Sequence, residues 1–77
     1  NSIDLRKIDE YIKTADVDLE SKNLMFLEAS LILARNNYMD KSLIYLRQVE
    51  HSKNKSSEVK NKICDVEKKI KILKHRF

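Results

Sequence analysis

The chain has no glycine, no proline and no tryptophan. Tight strand-to-strand hairpins depend on glycine, and edge and turn geometry on proline, so an all-β fold is not expected. The same absence removes any glycine-rich phosphate loop. There is one cysteine, Cys64, which gives neither a disulfide framework nor a paired Cys-x-x-Cys metal knuckle. No apolar run approaches the ~18 residues of a membrane-spanning helix. The opening NSIDLRKIDE is charged where a signal peptide carries its apolar core. The expectation is a soluble, cytoplasmic chain whose lone thiol suits a reducing compartment. A signal sequence removed earlier would leave the same residues. The chain opens on Asn1 rather than methionine, and we expect a fragment of a longer chain or a processed form.

What is present points to helices. Of 77 residues, 42% are hydrophobic and 36% charged, a balance that favours a folded domain over disorder. Residues 1–77 form one domain with one modest core. A chain this short buries only ~60% of the surface that its unfolded form exposes. A partner, or the rest of a longer chain, would therefore add to its stability. The net charge of +4 is unevenly placed. Residues 1–40 carry five Lys/Arg and eight Asp/Glu, net −3, and residues 41–77 carry eleven and four, net +7. Such asymmetry suits either self-complementarity or an acidic partner for the second half.

Apolar spacing predicts the elements. Leu5, Ile8, Ile12 and Ala15 form a helical stripe over residues 3–13, with Asp4 near its positive end. The polar stretch Thr14–Glu20 breaks it, and Asp16 or Asp18 can cap the second helix. Leu24, Leu27, Leu31 and Ala34 make the stripe of that helix, Leu19–Arg35, which Met25, Phe26, Ala29, Ile32 and Leu33 widen on both flanks. A helix so apolar around its circumference is covered on more than one side, so it is expected at the centre. At Asn36-Asn37, Asn36 suits the left-handed end of one helix and Asn37 the cap of the next. The third helix, Tyr38–Ser52, turns Met39, Ser42, Leu43, Leu46 and Val49 inward, with Tyr45 at the edge. A polar break over residues 52–57 ends in the caps Ser56 or Ser57. The fourth helix, Glu58–Arg76, carries the most regular seam: Val59, Ile63, Val66, Ile70, Leu73 and Phe77. Its flanks specify self-pairing poorly. A parallel homodimer would set Lys69 against Lys74, and an antiparallel one would set Lys62, Lys69 and Arg76 against one another. The homo-oligomeric state stays open.

The hairpin around Asn36-Asn37-Tyr38 resembles a tetratricopeptide repeat. That family joins two antiparallel helices through a Gly-Asp/Asn-Tyr turn. Leu24, Leu27 and Leu31 hold the spacing of its first helix, and Ser42, Leu46 and Val49 that of its second. Asn36 replaces the usual glycine, Glu28 stands at another glycine position, and Val49 is larger than the usual alanine. One extra residue lies before Ser42, and no proline closes the unit. The likeness covers ~30 residues, one repeat at most, and a single repeat needs flanking helices or a partner to bury its faces. It implies a peptide groove that Tyr45 and Arg47 would line.

Residues that carry chemistry are sparse. His51 and His75 stand on different helices, and Cys64 has no neighbouring ligand, so no metal site or cofactor is expected. Cys64 reads as a small hydrophobe at the core edge, His51 as a helix-end cation. Asp16 and Asp18 are explained by capping, and no enzymatic activity is expected. The fold class is all-α: a small antiparallel bundle of three to four helices, a repeat-like hairpin plus a longer basic C-terminal helix. The function expected is protein–protein interaction, as an adaptor, chaperone or regulatory module with an acidic or helical partner. Apolar burial would give affinity and lysines steering. The partner-binding residues expected are Tyr45, Arg47, Lys62, Lys69, Ile70, Leu73 and Phe77. The alternatives are nucleic-acid binding through the Lys-rich last helix, where neither arginine-rich readout nor aromatic stacking is prominent, and a coiled-coil oligomerisation segment.

Overall fold

The computed structural model describes residues 4–75. It contains four helices: α1 (Leu5–Thr14), α2 (Leu19–Arg35), α3 (Met39–Glu50) and α4 (Ser57–Lys74). Three of their starts are chemically marked. Asp4 accepts from the N–H groups of Arg6 (3.1 Å) and Lys7 (3.3 Å), Asp18 from Ser21 (2.8 Å), and Ser56 from Val59 (3.1 Å). Each side chain satisfies backbone donors that a helix start leaves free. Of the two capping candidates between α1 and α2, Asp18 is therefore the cap. The break that the polar stretch predicted is real, and Ala15 is already extended.

The turn between α2 and α3 forms, with its two asparagines in other roles than expected. Asn36 stays on the right-handed side (φ −106°), and Asn37 takes the left-handed conformation (φ 68°). Tyr38 N–H donates to Leu33 O (2.8 Å) and Asn37 N–H to Ala34 O (3.3 Å). This is the Schellman pairing, and Tyr38 and Leu33 join the same apolar cluster, as that motif prefers. Asn37 is thus the helix terminator, and Tyr38 stands at the N-cap position of α3 without a side-chain cap. The α3–α4 connection closes differently. Asn54 is left-handed (φ 57°), and Lys55 Nζ donates to the carbonyls of Glu50 (2.7 Å) and Ser52 (2.9 Å), neutralising the end of α3.

Helix α2 is central. One side of it, with Leu27, Leu31 and Ala34, packs with Leu46 and Val49 of α3 and with Val59, Ile63, Val66 and Ile70 of α4. The other side, with Ala29 and Leu33, packs with Ile12 of α1 and Tyr45 of α3. Close approach of α2 and α3 rests on two small residues. Ser30 and Ser42, both fully buried, exchange hydroxyl-to-carbonyl bonds (Ser30 Oγ to Ser42 O 2.9 Å, Ser42 Oγ to Ser30 O 2.7 Å), with their hydroxyls 3.0 Å apart. The radius of gyration, 12.2 Å, is close to the about 11.5 Å of a compact domain of this length, and excludes a rod.

Helix direction fixes which residues share a surface. Leu5, at the start of α1, lies beside Asn37 and Tyr38, beyond the end of α2, so α1 and α2 are antiparallel. Lys62 pairs with Glu28, and Lys74 lies beside Ala34, so α4 runs parallel to α2.

Candidate functional site

The residues expected to bind a partner do not gather on one face. Tyr45, placed at the edge by the sequence pattern, is 1% exposed. Its ring meets Phe26 at 5.2 Å between centroids, Lys41 Nζ lies 5.2 Å from its centre, and its hydroxyl donates to Asp9 (3.0 Å). Burial first, then the Asp9 carboxylate, pushes the Tyr45 hydroxyl up to about 12. Tyr45 therefore latches α1 to α3 and cannot line a groove. Ile70 is buried in the core, and Leu73 is half-buried against it. From Val59 to Ile70 the α4 seam is thus consumed inside the chain. Lys62 is tied to Glu28, and Lys69 to Asp65 (3.0 Å). Arg47 is exposed, and Phe77 lies outside the described residues. Cys64, read as core edge, is exposed, since it points away from the Ile63–Val66 seam.

An apolar groove does exist, and it lies between α1 and α2. It has a volume of about 580 Å³ and is open to solvent. Ile8 and Tyr11 form one wall, Leu24, Met25 and Ile32 the other, and Ile12 and Ala29 close its base. Tyr11 is 70% exposed and Ile32 46%. This volume falls in the ~300–1,000 Å³ range of binding pockets. The reason for the groove is a mismatch of two helices. α1 has ten residues and a narrow stripe, whereas α2 is apolar nearly all round and has more surface than α1, α3 and α4 cover. Contiguous exposed apolar surface of this kind marks interaction sites.

Charge frames the groove. Lys7 stands at the end where α1 begins. Arg35 lies one turn beyond Ile32 on the same α2 face, at the i+3 position. At the opposite end the connection and the first turn of α2 bring Asp16, Asp18 and Glu20, all exposed. Of the local cations, Lys13 is paired with Asp9 (3.0 Å), while Lys22, whose Nζ donates to the Lys13 carbonyl (3.3 Å), keeps its charge, so three carboxylates stand against one ammonium at this end. The Lys13 ammonium, ahead of the Tyr45 hydroxyl, holds Asp9 below the usual carboxylate range. Adjoining the groove, a second depression of about 430 Å³ between α2 and α4 shares Leu24 and Glu28 with it and is otherwise lined by Glu58, Asn61, Lys62 and Asp65.

Elsewhere the molecule is chemically quiet. Among the described residues no three His, Cys, Asp or Glu side chains converge, and every buried side-chain polar atom has a partner. Glu50 of α3 and Glu67 of α4 meet carboxyl to carboxyl; their hydrogen bond, then burial, raises Glu67 above its usual value. No described helix is long and apolar enough to cross a membrane.

The groove escapes a reading of the sequence because its walls come from two helices whose stripes each look like core. The available signal was Tyr11, which lies off the Leu5–Ile8–Ile12 stripe, and the surplus breadth of the apolar face of α2. No protein-family model, no curated protein and no solved structure matches the chain.

Proposed function

We propose that this chain is a protein–protein interaction module that receives an amphipathic helix of its partner in the α1–α2 groove. One observation carries the reading: an open apolar groove of about 580 Å³ whose rim residues Tyr11 and Ile32 remain in water. Ile32 is already half covered, so burying the rest of it releases roughly 1 kcal/mol, about half of what full burial of such a side chain gives. Tyrosine is also among the residues that dominate binding energy at interfaces. The two-walled shape fits the helix-in-groove mode. We read the α2–α3 hairpin as repeat-like, with α4, parallel to α2, in the place of a following unit's first helix.

The test is capture of partners from the native source with three baits of equal thermal stability: the unaltered chain, Ile32→Glu, and Lys60→Glu/Lys71→Glu on the outer face of α4. A partner bound by the first and third baits and lost by the second supports the groove. A partner lost only by the third bait contradicts it.

A second reading has its own observation. Lys60, Lys68, Lys71 and Lys74 recur at helical spacing and carry no ion pair among the described residues. Such a stripe can contact phosphates. A steep loss of duplex or single-strand affinity with salt would favour it, and no binding at low salt would remove it.

A further inference from the structure

The groove is electrically polar along its length, and this selects the kind of helix it takes. We infer, resting on the interaction reading, that its occupant is a helix of about three turns with an acidic first turn and a basic last turn, lying antiparallel to α2.

Because α1 and α2 are antiparallel and joined by only four residues, both ends of the groove are fixed by the pair. One end carries Lys7 and Arg35, both exposed and without an ion pair among the described residues, and with Arg6 they outnumber the nearby carboxylates of Asp4 and Asp40. The other carries Asp16, Asp18 and Glu20 against the single ammonium of Lys22, since Lys13 is paired with Asp9, and stays net negative. At mid-groove the charge of Glu28 is met by Lys62. A bound helix therefore meets positive charge at one end, apolar wall in the middle and negative charge at the other.

Two orientations would satisfy these ends. A helix with acidic residues at its C-terminus could lie parallel to α2, but those charges oppose its own dipole. A helix this short is marginal in water, so side-chain charges that support its dipole decide whether it forms. An acidic first turn and a basic last turn do so, and such a helix places its N-terminus at Lys7 and Arg35. The apolar wall from Leu24 to Ile32 rises about 12 Å, so about three turns bridge the two charged ends.

The outer faces of α3 and α4 in a second copy of this chain do not supply that helix. The apolar seam of α4 is spent in its own core, and its outer face offers Ile72 as an exposed large hydrophobe. The outer face of α3 offers Ile44. Neither makes the i, i+3/i+4, i+7 stripe that a groove of this length requires.

The probe is an acetylated, amidated 14-residue peptide with a leucine stripe, Glu in its first turn and Lys in its last, carrying a nitroxide at either end. Full-length chain, ¹⁵N-labelled, reports the direction. The N-terminal label is expected to broaden the amides of Lys7 and Arg35, and the C-terminal label those of Leu19 and Ser21. Lys7→Glu/Arg35→Glu, both at exposed positions, is expected to weaken binding about fivefold to tenfold at low salt, with the loss shrinking at high salt. Binding in the groove in the opposite or in mixed directions overturns the inference and leaves the interaction reading standing. Binding outside the groove, or no binding alongside a groove insensitive to Ile32→Glu in partner capture, overturns both. Concentration-dependent dimerisation that blocks the peptide, or its displacement by a fatty-acid probe, overturns the choice of occupant.

Discussion

Single residues decide where the chain turns and how closely its helices approach. The left-handed position is Asn37, so Asn37→Gly should be neutral or stabilising, while Asn37→Val should cost about 1–2 kcal/mol. Asn36→Gly should bring no gain, and urea unfolding of the three variants distinguishes the two asparagines. The pair Ser30 and Ser42 makes a second prediction. Ser30→Val forces a larger group between α2 and α3 and breaks the reciprocal bonds, which should cost about 1–3 kcal/mol in the same measurement. The existence of a turn at Asn36-Asn37 was legible, because polar residues that tolerate αL interrupt two apolar stripes. Which asparagine turns was not legible, since the Schellman bonds depend on the carbonyls of Leu33 and Ala34 and on where Tyr38 finds apolar cover. Ser30 was invisible for a related reason: a serine between apolar positions looks like solvated surface until its partner on the next helix is known.

At the scale of elements, the latch between α1 and α3 is the Tyr45–Asp9 bond. Tyr45→Phe keeps the ring against Phe26 and removes the bond, so it should lower stability by about 1 kcal/mol and speed hydrogen exchange in α1 before the rest. The α3–α4 contact responds to pH in the opposite sense to the capping and paired aspartates. Glu67 is raised in the folded state, so the stability its proton brings is present at low pH and lost as pH rises through its folded value. Glu67→Gln should therefore stabilise the chain at neutral pH, with the gain vanishing in acid; a thermal-melt series from about pH 4 to 8 checks it. Asp9 and Asp18 are depressed, and their contributions fall away as pH drops through their folded values. Four helices could be read from stripes and polar breaks, and two of their caps, Asp18 and Ser56, were each one of two candidates. The contact of Glu50 with Glu67 could not, because it depends on the crossing of two helices, which one-dimensional periodicity does not carry.

At the scale of the whole molecule, the broad α2 explains both the core and the groove. It needs three neighbours, and α1 is too short and too narrow to cover the third side. The sequence led instead to α4, where basic residues and the most regular seam are most conspicuous. The structure uses that seam internally and leaves the open apolar surface at the other end of the chain. Regularity of a stripe reports burial, and burial in a bundle this small is mostly against the chain itself.

The most direct measurement is photo-cross-linking in the native source, with a photoreactive phenylalanine analogue placed at Tyr11 or, in a matched protein, at Lys68. A groove that receives a partner helix predicts discrete cross-linked species at position 11, lost on Ile32→Glu, and none in common at position 68. Cross-links at position 68 that persist in Ile32→Glu, with none at position 11, would contradict it.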